Sequence, residues 1–199
     1  MAFKNSNLKY GSVAKWLHWI IAIFILVAYI SVYYNHYFID DRAQRQFING
    51  LHFMFGVSVA PLVLLRLFWR WFNIQPDDEP GPRWQHLSAL YAHRLLYFFM
   101  IVMPLTGWMC YGARSINFFW LFELPTFRGT ALYQWLVVEQ LGMTFNTFEV
   151  PFDNFHKEIA GPWIFWVLIA VHVIAALYHH YRVKDNTLKK MLPGGRVEH

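Results

Sequence analysis

Apolar residues run almost unbroken through four stretches of this chain, about Trp16–Tyr34, Ile48–Leu65, Leu95–Tyr111 and Ile159–Tyr181, with polar residues gathered between them. Each stretch is near the about 17–25 residues that a helix rising 1.5 Å per residue needs to cross a bilayer. The third is short as written and is expected to begin near His86, giving 86–111, with Arg94 facing inward or reaching toward headgroups. Pro61 and Pro104 fall inside the second and third stretches, where packed neighbours tolerate a kink. The pattern predicts an all-α fold: one domain over residues 1–199, an integral membrane four-helix bundle with a long external loop, 112–158, between spans three and four. Within that loop Ile116–Leu124 and Ala131–Leu141 are aromatic and apolar but interrupted by Glu123, Pro125, Arg128, Gly129 and Glu139. They predict an interfacial helix or a lid over the outer end of the bundle rather than a further span.

Charge sets the orientation. Lys4, Lys9 and Lys15 precede span one; Arg66, Arg70, Arg83 and Arg94 flank the connection between spans two and three; Arg182, Lys184, Lys189, Lys190 and Arg196 follow span four. The opposite side carries only Arg42, Arg45, Arg114, Arg128 and Lys157. Positively charged loops stay in the cytoplasm, so both termini are expected there. The net charge of +5 is spread over span ends rather than gathered on one face, which argues against nucleic acid as a partner and for membrane lipid. Cys110 is the only cysteine, so neither an intrachain disulfide nor an iron–sulfur cluster is available, and it reads as a small packing residue. No secretory signal is evident.

Histidine changes the picture most. There are 10, and several lie inside the apolar stretches, where an ionisable group marks a pairing, a cavity or a binding site. A low-spin b-type haem needs two neutral imidazoles from facing helices at equal depth. His18 stands near the cytoplasmic end of span one and His52 near the external end of span two, so they cannot share one iron, and two haems b are the economical arrangement. On span four, depth pairs His52 with His156. For His18, depth alone favours His179, while His172 lies about 10 Å deeper and projects from nearly the same face. A porphyrin against a helix also needs a small residue one turn from the ligand. Ala22, Gly56, Ala160 and Ala176 stand at +4 from His18, His52, His156 and His172, whereas Leu90, Tyr97, Val183 and Lys184 follow His86, His93, His179 and His180. This points to His18, His52, His156 and His172 as iron ligands. His93 is the main competitor, as a ligand or as a polar group at a cofactor edge. His36 and His199 read as exposed, and a zinc site at His179–His180 lacks convergent ligands. Arg66, Arg70 and Arg114 are candidate partners for haem propionates, against the plainer reading of interfacial charges.

The Lys15-Trp16-Leu17-His18-Trp19 opening, His52 with Gly56, His93 followed by Met103-Pro104-Leu105-Thr106-Gly107-Trp108, the segment from His172 to Tyr181, and the tail from Lys184 to Pro193 together resemble the bacterial cytochrome b561 family. The resemblance spans all four apolar stretches. It implies a diheme b-type cytochrome of the bacterial inner membrane, with His18 and His172 on the cytoplasmic-side haem iron, His52 and His156 on the external one, and His179 near ubiquinone. The similar members that oxidise superoxide pass its electrons to ubiquinone. That makes an oxidoreductase with superoxide as external donor the first expectation, and a cytochrome b subunit served by a docked periplasmic redox enzyme or cytochrome the second. A cofactor-free scaffold or transporter subunit is the third. One departure stands out: the family spaces its two span-four ligands fourteen residues apart and this chain sixteen, which turns His156 by about 160° on a regular helix. A break near Gly161-Pro162 is the expected remedy.

Overall fold

A computed structural model describes residues 2–195 and 197, so Arg196 and His199 lie outside the described residues. Four helices are long and apolar enough to cross a membrane: α1 (Ser12–Phe38), α2 (Arg42–Trp71), α3 (Arg83–Cys110) and a fourth over Val150–Val183. Each outruns its hydropathic stretch because polar turns cap it. Asp41, for example, accepts the Gln44 N–H at 2.9 Å and starts α2 three residues after α1 ends. Inside the spans Ser31, Ser58 and Thr106 return their hydroxyls to the carbonyls of Val27, Met54 and Val102, the way such groups are satisfied where water is excluded.

The fourth span departs from expectation. It begins at Val150 rather than Ile159, so the connection ends at 149 instead of 158, and His156 and Lys157 sit on the helix. The apolar stretch missed this because Asp153, Asn154, Lys157 and Glu158 break the hydropathy of its first turns. Lys157 and Asp153 neutralise each other at 2.5 Å on one helix face. The span is also irregular: Asn154–Phe165 and His179–Val183 are wound as π-helix on either side of the regular Trp166–Tyr178.

Residues 116–124 form no interfacial helix. They make an antiparallel hairpin, β1 (Ser115–Phe118) and β2 (Phe122–Pro125), in register Ile116 opposite Leu124. Its turn is closed by the Leu121 N–H on the Phe118 carbonyl at 3.0 Å. Ala131–Gln140 is helical, first α and then π. The connection has a small core of its own: Thr126, Phe127 and Val137 are fully enclosed, and Phe127 meets the rings of Trp108, Tyr133 and Phe148.

The chain divides into two compact units, and every long helix contributes to both. The first, holding the described ends of the chain, comprises residues up to Ala22, Pro61–Phe99 and Phe165 onward. Here the C-terminal segment folds back on the rest. Lys15 Nζ donates to the Leu192 carbonyl (2.9 Å), Trp19 Nε1 to the Met191 carbonyl (3.1 Å), and Lys190 Nζ to the Asp77 carbonyl (2.7 Å) and to Glu79 (2.5 Å). The second unit comprises Ile23–Ala60 and Met100–Ile164, and so includes the long connection. In it Tyr29 OH donates to the Gly161 carbonyl at 2.8 Å, and the Phe119 N–H approaches Met54 Sδ at 2.9 Å.

Lys190 is a nearly buried cation whose main charge partner is Glu79. Removing one member of a buried pair strands the other, at about 3–5 kcal/mol. Lys190→Met is therefore expected to loosen residues 187–192 by roughly the lower end of that range, seen as faster amide exchange there; unchanged protection would show that the pair does not hold the tail.

Candidate functional site

The histidines singled out above come together in pairs, one pair within each unit. In the first unit His18 of α1 faces His172 of the regular Trp166–Tyr178 segment, ring centroids 6.2 Å apart and planes at 64°. In the second, His52 of α2 faces His156 of the π-wound segment at 6.1 Å and 82°. Roughly 6 Å is what two metal–nitrogen bonds of about 2 Å plus the ring half-widths add up to along one axial line. Among the described residues no group of three or more His, Cys, Asp or Glu converges on a bare ion. Two facing imidazoles suit a macrocycle that brings its own four equatorial nitrogens.

The second pair also shows how its rings are held. His52 Nδ1 lies 2.8 Å from the Ala28 carbonyl, which has no proton to give, so Nδ1 carries the hydrogen and Nε2 keeps its lone pair. His156 Nδ1 lies 3.1 Å from Thr106 Oγ1. That hydroxyl is spent on the Val102 carbonyl at 3.0 Å and so accepts from His156. Both rings thus carry the tautomer with a free Nε2, the form in which histidine binds iron when its other nitrogen donates to an acceptor of the protein. Gly107 makes the approach possible, since a Cβ there would stand 2.8 Å from His156 Cε1. At Gly56, one turn beyond His52, a Cβ would meet nothing within 4 Å, as a flat group lying against the helix requires. The donor set, its tautomers and the open flank at Gly56 fit haem.

The sixteen-residue spacing on the fourth span is met by winding. An i→i+5 turn takes one residue more than an i→i+4 turn, so the 12 residues of Asn154–Phe165 absorb the surplus of two. The disturbance is centred where expected, since Pro162 has no N–H to give and lies inside this segment. It also corrects the small-residue pattern. One turn beyond His156 stands Gly161, not Ala160, and Ala160 is fully buried. Gly161 itself leaves no room for a Cβ, which would fall 2.5 Å from the His156 carbonyl oxygen.

The remaining candidates divide. His93 of α3 lies beside His172, ring centroids 5.4 Å apart, an edge contact on a ring that also faces His18. Arg66 is fixed in the first unit by Nη1 on the Ala14 carbonyl (2.8 Å) and Nε on Tyr97 OH (3.1 Å). Its charge acts on His18, His93 and His172, and that of Arg70 on His93. Among the described residues no carboxylate pairs with either arginine, which leaves both able to take an anionic group. Arg114 is exposed between α3 and β1; the charge acting on both imidazoles of the second pair is that of Lys157. His36 is exposed against Tyr37, and Cys110 is buried. His179 does not stand beside His18. It closes a short hydrogen bond with Asp185, a partner that hydropathy and histidine spacing gave no reason to single out. Trp19, whose ring edges His18 at 5.4 Å, was likewise not singled out for what it does, which is to tie the neighbour of His18 to the C-terminal segment.

Known proteins resemble the chain along its length. Residues 9–194 match the family described as prokaryotic cytochrome b561. Cytochrome b561 homolog 1 of Escherichia coli (strain K12) is 28% identical, over 93% of this chain and 97% of its own. A protein of Yersinia pestis named probable superoxide oxidase CybB is 23% identical, over 94% and 98%. Cytochrome b561 homolog 2 of Escherichia coli (strain K12) is 26% identical, over 96% and 95%. With four membrane-spanning helices and imidazoles set in facing pairs, the chain belongs to the prokaryotic cytochrome b561 family, membrane-embedded b-type cytochromes that bind haem b and work in electron transfer.

Proposed function

We propose that this protein is a diheme cytochrome of the bacterial inner membrane that passes electrons from superoxide, on the side of the 112–149 connection, to ubiquinone on the side of the termini, which are cytoplasmic. One observation carries the reading: two imidazole pairs, one in each unit, each at axial-ligand separation. His18 and His172 hold one haem iron and His52 and His156 the other. Bound haem b supplies reversible one-electron chemistry at each iron. The chain supplies the rest. The Ala28 carbonyl and Thr106 fix the tautomers of His52 and His156. Arg66, already oriented by Ala14 and Tyr97, offers its remaining N–H groups to a propionate, with Arg70 beside it. His179 lies on the face of His172 two turns on, about 10 Å along the helix, which puts a quinone beside it within short electron-transfer reach.

A second reading keeps its place because of one feature. On the connection side, Lys157 is already neutralised by Asp153, and the adjoining cleft of about 180 Å³ adds Glu149 and Asn154 to its lining. An acidic cleft repels a small anion and suits a cationic protein donor, so a subunit served by a docked periplasmic cytochrome or enzyme is the alternative.

Purified protein is expected to show a b-type reduced-minus-oxidised spectrum with two haems per chain; one haem or none would remove the relay. Alanine at His18 or His172 should cost one haem and alanine at His52 or His156 the other, while His93→Ala keeps both. A retained full complement in His156→Ala would overturn the second pair.

Thr106→Val removes the side-chain acceptor of the His156 Nδ1 hydrogen and leaves this ring only the Met103 carbonyl; it is expected to weaken haem retention at that pair about tenfold, read by competition with apomyoglobin. No change would mean that the hydroxyl does not orient the ring.

Superoxide from a xanthine oxidase system is expected to reduce the haems of the isolated chain rapidly and ubiquinone stoichiometrically. Reduction only after a periplasmic partner is added would favour the alternative.

A further inference from the structure

The segment that follows the fourth span does more than end it. At Lys184 the backbone turns into the left-handed region (φ 62°), which reverses the chain and brings Asp185 back over the helix end it has just left. The Asp185 N–H bonds the His179 carbonyl at 3.3 Å, and the carboxylate closes the loop from the other side. Oδ2 accepts from His179 Nδ1 in a short contact, and Oδ1 accepts the Thr187 N–H at 2.9 Å. Only a tenth of the Asp185 side chain and a quarter of that of His179 are exposed. A surface ion pair would leave both ends in water; here the carboxylate is enclosed and the imidazole alone reaches outward.

We infer that Asp185 is a positioning residue for the quinone chemistry, holding His179 with its proton on Nδ1 and letting Nε2 take up a proton from the cytoplasmic side and pass it to a quinone oxygen. This deepens the function proposed above and rests on its placement of ubiquinone beside His179. The balance is complete. A quinone becoming a quinol takes two electrons, supplied by two molecules of the one-electron donor, and two protons, and both carbonyl oxygens become hydroxyls. One proton leaves from His179 Nε2 to the quinone oxygen beside it, the imidazole recovering its proton from water, and the second reaches the far oxygen from water on the cytoplasmic side.

The surroundings allow this. Burial raises the Asp185 pKa, but the hydrogen bonds from His179 and Thr187 outweigh it and hold the carboxyl below the usual carboxylate range. The sign follows: the pair is intact at neutral pH and is lost only as the pH falls through that lowered range. Trp166–Tyr178 and Thr187–Met191 pack against this turn and bring Tyr178, Lys189 and Lys190; the turn itself carries His180, Tyr181, Arg182 and Lys184. Lys190 is committed to Glu79 and Lys15 to Leu192. Of all these groups, His179 is the charge that acts on Asp185.

The test uses the haem-loaded protein in detergent, reduced beforehand, with reoxidation by ubiquinone-1 followed in a stopped-flow instrument across the neutral pH range. Asp185→Asn keeps the shape of the side chain. It is expected to leave haem content, spectrum and the KM for ubiquinone-1 unchanged while lowering the limiting rate about tenfold or more, at the lower edge of what general acid–base groups contribute, and altering its pH dependence. Asp185→Glu should restore most of the rate. His179→Phe should be slow at every pH. A normal rate and pH profile in Asp185→Asn, with His179→Phe still slow, would overturn the role of Asp185 and leave the quinone site standing. A normal rate in His179→Phe would remove the quinone from this position, and this inference with it.

Discussion

An imidazole inside a hydrocarbon layer has to find a partner for each nitrogen, and that requirement organises this chain. Unpaired, each ring nitrogen there costs several kcal/mol. The second pair shows the solution in full: one nitrogen of each ring is given to the protein, at Ala28 and Thr106, and the two rings face each other with the other nitrogen free for the proposed ligation. Between 11% and 28% of each span's most apolar window is buried within the protein. Side-chain packing between the helices is therefore thin, and apolar surface gives no drive to associate where the solvent is itself apolar. Under the proposed ligation, the facing imidazoles of His18 with His172 and of His52 with His156 are what would make α1, α2 and the fourth span depend on one another.

The fourth span must serve both pairs, and the price of doing so is visible in its winding. His156 and His172, sixteen residues apart, would face different ways on a regular helix. A π-wound segment turns more slowly, and Pro162 and Gly161 are the residues that let it form, one by lacking an N–H, the other by lacking a Cβ where the backbone of residue 156 comes close. The segment is held by Tyr29 on the Gly161 carbonyl and by Thr106 on His156, so the irregularity belongs with His156 rather than with the loop that precedes it.

Much of this was legible in the chain because lipid simplifies reading. Hydropathy located all four spans, and histidine depth, with the small residues beyond each candidate, singled out the His52–His156 and His18–His172 pairs whose rings face each other. What escaped was what depends on hydrogen bonds rather than on apolar length. The start of the fourth span at Val150 was hidden by Asp153 and Lys157, which cancel each other only once the helix is formed. The hairpin at 115–125 reads as an apolar run, since nothing in Phe118-Phe119-Trp120-Leu121 announces a turn with two residues at positive φ. Lys157 was passed over as a loop charge, yet it is the cation whose charge acts on both imidazoles of the second pair. Asp185 entered only as part of the Lys184–Pro193 tail, because its contact with His179 depends on a left-handed residue, Lys184, that no local preference foretells.

The C-terminal segment gathers these strands. Between Lys184 and Leu192 it places Asp185 on His179, offers the Met191 carbonyl to Trp19 beside His18, and offers the Leu192 carbonyl to Lys15. Lys190 anchors it to Asp77 and Glu79 in the connection between α2 and α3. One short stretch thus touches the neighbour of His18 and the histidine two turns beyond His172, the two members of the first imidazole pair. A segment that merely tidied a helix end would have no reason to bury two lysines and an aspartate in the act. Its cost is repaid if the geometry it fixes is that of the redox site, with the tryptophan holding the ring of His18 and the carboxylate holding that of His179.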